Sequence, residues 1–191
     1  MKKEKKLVNA EKTVYMAGYL RSVSWHTLKE AKENESGRYL NCMASIVFSA
    51  FSIEAYLNHL GERKIAFWPT IERNLSPAKK LEIISVQLEL PIDYGLRPFQ
   101  SFKPIFKFRD ILAHGRTEYL TDENVQLLTD FDDPELPQSQ WQEHVNLKTA
   151  QRYFDDTRKM IECLHEVSDL DINPLLVPET SGWHITSIDK E

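Results

Sequence analysis

The chain is poor in cysteine and glycine, and these shortages exclude several classes of site. Its 191 residues include only two cysteines, Cys42 and Cys163. The two show no C-x-x-C spacing, which excludes the common zinc and thioredoxin motifs, and free thiols usually behave as small hydrophobic residues. The six glycines form neither G-x-G-x-x-G nor G-x-x-x-x-G-K-[ST]. The usual glycine-rich nucleotide-binding loops are therefore absent.

The sequence also lacks an uninterrupted apolar run of the roughly 20 residues that a membrane-spanning helix requires. The basic start, Met1 to Lys6, is not followed by the apolar core of a signal peptide. Hydrophobic residues make up 41% of the chain and charged residues 28%, which is typical of a globular protein. We therefore expect a cytoplasmic protein without a membrane partner.

One segment differs in charge from the rest of the chain. The whole protein has a net charge of −5, which argues against a surface that binds nucleic acid everywhere. Residues 102–116 nevertheless carry +3, which leaves −8 on the remainder. Such a patch would concentrate an anion, for instance a phosphodiester, at one place. Its charged residues are Lys103, Lys107, Arg109, Asp110 and Arg116.

Apolar periodicity predicts a mainly α-helical fold, a bundle of four to five helices. The first helix is expected over about 9–34, with Tyr15, Tyr19 and Val23 on one stripe. The predicted helix over 38–61 is apolar on most sides, so we expect it to be central and to pack on the helix at 98–114. Further helices are predicted over about 76–88, where Ser76-Pro77 forms a start signal, and over about 146–168.

Glycine and proline mark the predicted ends and loops. Gly61 is a plausible stop for the second helix, and Gly115 a left-handed cap after His114. Pro104 either kinks its helix or marks the true start. Weak alternation over 117–128 suggests a small β-hairpin. Residues 1–170 are thus expected to form the helical domain and 171–191 an extended tail, with one short strand over 183–188.

Two polar residues stand out inside the apolar second helix. Glu54 and Asn58 are four residues apart and so share a face. A buried carboxylate needs a cation or hydrogen-bond donors, because leaving it unpaired costs several kcal/mol or shifts its pKa. We therefore expect Glu54 to have a cation or donor groups beside it.

At the end of the fourth main helix the chain resembles the HEPN family. The sequence Arg109-Asp110-Ile-Leu-Ala-His114 fits the family motif, R-x-x-x-x-H with a polar residue after the arginine. The segment Ser52-Ile-Glu-Ala-Tyr-Leu-Asn58 is similar to the family's second helix, which carries an acidic residue and a nearby asparagine. The resemblance spans roughly residues 9–168 as an order of helices.

The resemblance implies a metal-independent endoribonuclease that needs no cofactor, often the toxin of a toxin–antitoxin pair or another defence component. Two protomers would form one cleft. His114 would act as general acid or base on a ribose 2′-hydroxyl, Arg109 would stabilise phosphoryl charge, and Asp110 would orient one of them. Glu54 and Asn58 would support Arg109 from behind, with the Glu54 carboxylate within salt-bridge or hydrogen-bond reach of Arg109.

The expected partners follow from the same resemblance: a second copy of the chain, an RNA strand and an antitoxin protein. The lysines and arginine of the basic patch would bind the RNA, and exposed members of the phenylalanine-rich stretch 99–108 would form the dimer interface. No metal site is expected, because His, Cys, Asp and Glu show no ligand spacing. Some family members carry a tyrosine two residues after the histidine, which a partner nucleotidyltransferase modifies; Arg116 stands there in this chain.

Plainer interpretations stay open for each of these residues. Arg109 is also explained as the buried ion-pair partner of Glu54, and His114 as a residue favoured by the dipole at a helix end. Glu54 and Asn58 are equally consistent with a purely structural role. The alternative function is a non-catalytic HEPN module that binds RNA or a partner protein, since a fold does not determine a function.

Overall fold

The computed structural model describes residues 6–123, 126–127, 129 and 133–187. This part of the chain contains seven α-helices and one two-stranded antiparallel sheet, which confirms the mainly helical class. The five longer helices are α1 (Met16–Glu33), α2 (Arg38–Lys64), α4 (Pro77–Gln87), α5 (Phe102–Ala113) and α7 (Leu147–Glu166). The single-turn helices are α3 (Trp68–Ile71) and α6 (Gln140–Glu143), and the strands are β1 (Lys6–Val14) and β2 (Glu179–Ser187).

Helix α2 lies at the centre of the bundle, as predicted. It packs on α1, α4, α5 and α7, and its buried side chains run along nearly its full length. By length and composition it is the one described helix that could cross a membrane, but half of its most apolar stretch is buried inside the bundle. The helix is apolar on most sides because it contacts other helices on several sides.

Helices α1 and α2 are held together by small residues. Ser24 Oγ donates to the Ser45 carbonyl at 2.9 Å and lies 2.9 Å from Ser49 Oγ. Ser52 Oγ donates to the carbonyl of Ala17 at 2.8 Å. The buried residues of α1 are accordingly mostly small: Ala17, Gly18, Ser24 and Ala31, together with the larger Leu28. The expected stripe of Tyr15, Tyr19 and Val23 was wrong in part, because only the first of the three is buried.

The predicted start of the first helix was wrong. Residues 6–14 form strand β1, which pairs with β2 in a register that sets Val8 opposite Ile185 and Ala10 opposite Trp183. The backbone groups of β1 are satisfied by a segment about 170 residues away, which local periodicity does not reveal. The strand expected over 183–188 is confirmed as part of β2 for its described residues, and residue 188 lies outside them.

The hairpin expected at 117–128 was also wrong. Residues 117–123, 126 and 127 form no strand, and the small sheet joins the two ends of the described chain instead. Residues 124, 125 and 128 lie outside the described residues. Residues 117–123 are all exposed, so the apolar residues that alternate in this segment do not form the buried face of a strand.

Two of the expected helix signals are confirmed and two are not. Ser76 caps α4, because its side chain accepts a hydrogen bond from the Lys79 backbone, and Pro104 lies in the first turn of α5. Gly61 does not end α2, which continues to Lys64 with the Ile65 amide donating to the Gly61 carbonyl. Gly115 is not left-handed; in the described chain the glycine with positive φ is Gly37.

Candidate functional site

Arg109 is held at the side of α5 that faces the bundle. Its Nη2 donates to Glu54 Oε2 on α2 at 3.2 Å, which confirms the predicted pair. The guanidinium carbon lies 5.4 Å from the centroid of the Phe106 ring, within cation–π range. Only 19% of the Arg109 side chain is exposed. The guanidinium is thus held by contacts on the side that faces the bundle, and little of the Arg109 side chain is exposed to solvent.

A second cation, Lys80, binds the same carboxylate. Its Nζ donates to Glu54 Oε1 at 3.0 Å, and 6% of its side chain is exposed. Glu54 therefore joins α2 to both α4 and α5. Sequence reasoning missed this lysine. The available signal was its position one turn before Ile84 on the buried face of α4, where a cation needs a partner.

Asp110 contacts Arg109 and not His114. Its Oδ1 lies 3.2 Å from Arg109 Nε, which is the distance of an ion pair. The same Nε–H is buried and has no hydrogen-bond acceptor among the described residues, so the contact is electrostatic and lacks the alignment of a hydrogen bond. Half of the Asp110 side chain faces solvent. Of the two residues that Asp110 was expected to orient, it contacts Arg109.

His114 ends α5 and is exposed. Its backbone amide donates to the Asp110 carbonyl at 2.9 Å, which completes the last turn of the helix. Its imidazole makes no hydrogen bond or ion pair within the described part of the chain. The ring is thus available at a helix end, where the C-terminal dipole favours a cation.

The exposed face of α5 carries most of the other predicted residues. Lys103, Lys107, Asp110 and His114 are three or four residues apart, which places them within about 60° of each other around an ideal helix. All four are exposed. This row of side chains is hereafter called the α5 strip. Arg109 lies about 140° from His114 around the same helix, so one protomer presents the two motif residues in different directions.

Arg116 lies beyond the end of α5 and is exposed. The Nζ atom of Lys103 lies 4.4 Å from the centroid of the Tyr94 ring, within cation–π range. The lysines are therefore on the surface that the basic patch was expected to form.

Asn58 is not part of this site. It lines a separate pocket of about 280 Å³ with Tyr15, His59, Glu62 and other residues from the start of α1. Its Oδ1 is buried without a hydrogen-bond partner in the described chain. The expectation that it supports Arg109 was wrong, because one further turn of α2 moves the side chain about 6 Å along the helix. Burial in this region lowers the pKa of His59.

Two surface pockets flank the α5 strip. One, of about 510 Å³, lies between α5 and the start of α4 and includes Ser76, Phe106 and Lys107. The other, of about 610 Å³, lies between α5 and α6 and includes Lys107, Trp141 and His144. The strip is thus a ridge with a depression on each side.

The phenylalanines of the 99–108 stretch are buried, each less than a tenth exposed. The expectation that they form a dimer interface was wrong, because they fill the core between α5 and the rest of the bundle. The affected residues are Phe99, Phe102, Phe106 and Phe108. Large exposed apolar side chains occur instead on the sheet and on α1, among them Val8, Met16, Trp183 and Ile185.

Within the described residues, no group of three or more His, Cys, Asp or Glu side chains is arranged to hold a metal ion. Comparison of the chain with protein-family models, with curated proteins and with solved structures finds no match.

Proposed function

We propose that this chain is a metal-independent endoribonuclease of HEPN type that acts as a homodimer in the cytoplasm, as a toxin with an antitoxin partner or as another defence component. The observation that carries the proposal is that the two motif residues have different surroundings, one held by an ion pair and the other exposed at a helix end. Glu54 holds Arg109 on the side that faces the bundle, while His114 is exposed at the helix end, on the same face of α5 as the exposed Lys103 and Lys107. This combines a cation held in place with a solvent-exposed imidazole that can carry a proton.

In the proposed reaction a phosphoryl group moves from a 5′-oxygen to the neighbouring ribose 2′-oxygen within the RNA strand. The ribose 2′-oxygen attacks the adjacent phosphorus, the bond to the 5′-oxygen breaks, and a 2′,3′-cyclic phosphate and a 5′-hydroxyl form. His114 takes the proton of the 2′-hydroxyl or gives one to the leaving oxygen, and imidazoles serve in both roles. Arg109 stabilises the charge that develops on the phosphoryl oxygens.

The homodimer is part of the proposal because of the geometry of α5. Arg109 and His114 diverge by about 140° around the helix, so one protomer is a poor clamp for a phosphate. A two-fold axis beside the helix end would bring one protomer's His114 toward its partner's motif. Single-stranded RNA is the expected substrate, since in-line attack needs a flexible sugar–phosphate step.

The alternative is a module that binds RNA or a protein without cleaving it. The observation in its favour is that Arg109 is only 19% exposed and is already paired with Glu54. In that case the arginine is a structural residue, and the exposed lysines alone contact the partner.

A cleavage assay separates the two functions. Purified protein is incubated with end-labelled single-stranded RNA in excess chelator, and the wild type is compared with His114→Ala. We expect wild-type cleavage to survive the chelator and to leave 2′,3′-cyclic phosphate ends, while the variant loses about 100-fold or more of the rate.

The matched control is His26→Ala, which removes another exposed histidine, on α1. It should cleave like the wild type. Equal rates for His114→Ala and the wild type, or activity that disappears with chelator and returns with magnesium, would contradict the proposal.

A further inference from the structure

The pocket between α5 and α6 brings lysine and tryptophan side chains together on a protein whose net charge is −5. One wall is α5, which contributes Lys103, Lys107 and Ile111. The other wall is α6, which contributes Trp141, Glu143 and His144 at its end. We call this pocket the α5–α6 groove. Its volume of about 610 Å³ is within the range of small-ligand sites.

The wall formed by α6 is held in place although the helix is only one turn long. The Ser139 amide donates to Gln142 Oε1 at 2.8 Å, and the Gln142 amide donates to the Ser139 carbonyl at 2.9 Å. Trp141 is partly buried and packs against the hydrophobic core. An indole held in this way loses little freedom when a ligand covers its exposed part.

The chemistry of the two walls differs in a way that suits a nucleotide. The lysine ammonium groups on α5 attract a phosphate, and the indole on α6 offers an apolar ring on which a base can stack. Glu143 adds a hydrogen-bond acceptor for a base amino group. An acidic peptide would use the lysines in the same way, but it carries no base for the indole and the Glu143 carboxylate to recognise.

The groove is continuous with the candidate site. Lys103 and Lys107 belong to the α5 strip and line the groove as well. Lys107 precedes His114 by seven residues, which is about 10 Å along the helix axis. A strand bound at His114 would therefore pass the groove within one or two nucleotides.

We propose that the α5–α6 groove binds one nucleotide of single-stranded RNA, with the base against Trp141 and the phosphate at Lys103 and Lys107. The inference rests on the proposed function only for the identity of the strand as RNA. It concerns affinity and not cleavage, so the two can be tested apart.

The test measures binding of a fluorescently labelled single-stranded RNA by anisotropy, with every protein in the His114→Ala background so that cleavage does not interfere. Trp141→Leu should bind about 10-fold or more weakly, while Trp141→Phe should keep most of the affinity because its ring still stacks. Trp183→Leu is the matched control, since it removes an exposed tryptophan from β2, and should bind normally.

A second arm keeps the test decisive if Trp141→Leu fails to fold. Lys103→Ala/Lys107→Ala changes two exposed residues and should reduce the salt dependence of binding by an amount that corresponds to about one phosphate contact, because both lysines bind the same phosphate. An RNA that lacks bases should bind the His114→Ala protein more weakly than normal RNA does, which tests base stacking without a tryptophan variant.

Wild-type affinity in folded Trp141→Leu, an unchanged salt slope in the lysine variant, or tighter binding of an acidic peptide than of RNA would each overturn the inference. Failure of the proposed function looks different: RNA binding would depend on the groove, but no cleavage by the wild type would be detected.

Discussion

Glu54 is a single carboxylate that holds cations from two other helices. It accepts from Lys80 on α4 and from Arg109 on α5, so α2, α4 and α5 meet at one side chain. About a quarter of this side chain is exposed, and Lys80 is almost fully buried. The electrostatic interaction is therefore weakly screened, and the loss of the carboxylate leaves two cations with little water to replace it.

Replacement of Glu54 should destabilise the protein strongly. We expect Glu54→Ala to lower the free energy of unfolding by about 2–4 kcal/mol, toward the range found when one partner of a buried pair is removed. Urea unfolding followed by circular dichroism measures the change. Glu82→Ala is the matched control, because Glu82 forms an exposed pair with Lys79 at 2.7 Å on α4. It should change stability by at most about 1 kcal/mol. Equal effects of the two variants would contradict this account.

A second buried carboxylate is also paired with a cation, in this case from the segment before α5. Asp156 on α7 is fully buried, and its oxygens accept from the Arg97 guanidinium, with Nη2 at 2.7 Å, and from Ser101 Oγ at 2.6 Å. It ties the segment before α5 to α7. The orientation of α5, and hence of the α5 strip, thus depends on two ion pairs, one near each end of the helix.

At the scale of elements, the end of α2 is shaped by a contact between a glycine and a tryptophan. A Cβ atom on Gly61 would lie 2.0 Å from Cε2 of Trp68, which is far inside van der Waals contact. Trp68 begins α3 and is fully buried. The absent side chain lets the indole lie directly on the α2 backbone, which accounts for a glycine inside a helix that it would otherwise weaken.

Substitution of Gly61 by alanine should destabilise this joint. Helix propensity alone would favour alanine by about 1 kcal/mol, but overlap with a buried ring costs more. We expect Gly61→Ala to lower the free energy of unfolding by about 1–3 kcal/mol, measured by thermal and urea unfolding. Gly115→Ala is the control, since its nearest neighbours are 3.5 Å away, and should be close to neutral. A Gly61→Ala variant as stable as the wild type would refute the contact.

At the scale of the whole molecule, the two ends of the described chain meet. The segment before β2 crosses α1, where the Tyr15 amide donates to the Pro178 carbonyl at 2.8 Å and Arg21 donates to the Leu175 carbonyl at 3.1 Å. Leu175 is buried in the hydrophobic core. The segment is thus packed on the bundle, and β2 continues from it to pair with β1.

Gly18 controls this docking. A Cβ atom at that position would lie 2.2 Å from the Pro174 carbonyl oxygen. We expect Gly18→Ala to leave the helical signal intact but to release the segment, so that chymotrypsin cuts at Trp183 about 10-fold faster or more. Gly115→Ala serves as control, because the nearest atoms to its added Cβ lie 3.5 Å away and it is outside the cleaved segment, and it should be cut at the wild-type rate. Unchanged cleavage of Gly18→Ala would contradict the proposed packing.

The sequence by itself determined the helical class, the central place of α2 and the need of Glu54 for a cation. These follow from local information: a helix that is apolar all round must be buried, and a carboxylate inside it must find a cation. The cap at Ser76 and the helix over 147–166 are local in the same way, since the chain signals them within one or two turns.

Only the tertiary structure decided the rest. Lys80, the pairing of β1 with β2, and the burial of the 99–108 phenylalanines depend on segments far apart in the chain, which periodicity within one window does not contain. Asn58 shares a helix face with Glu54, yet its neighbours come from α1 and its surroundings and not from α5. A spacing of four residues specifies a direction on a helix, but which partner lies in that direction is determined by how the helices pack.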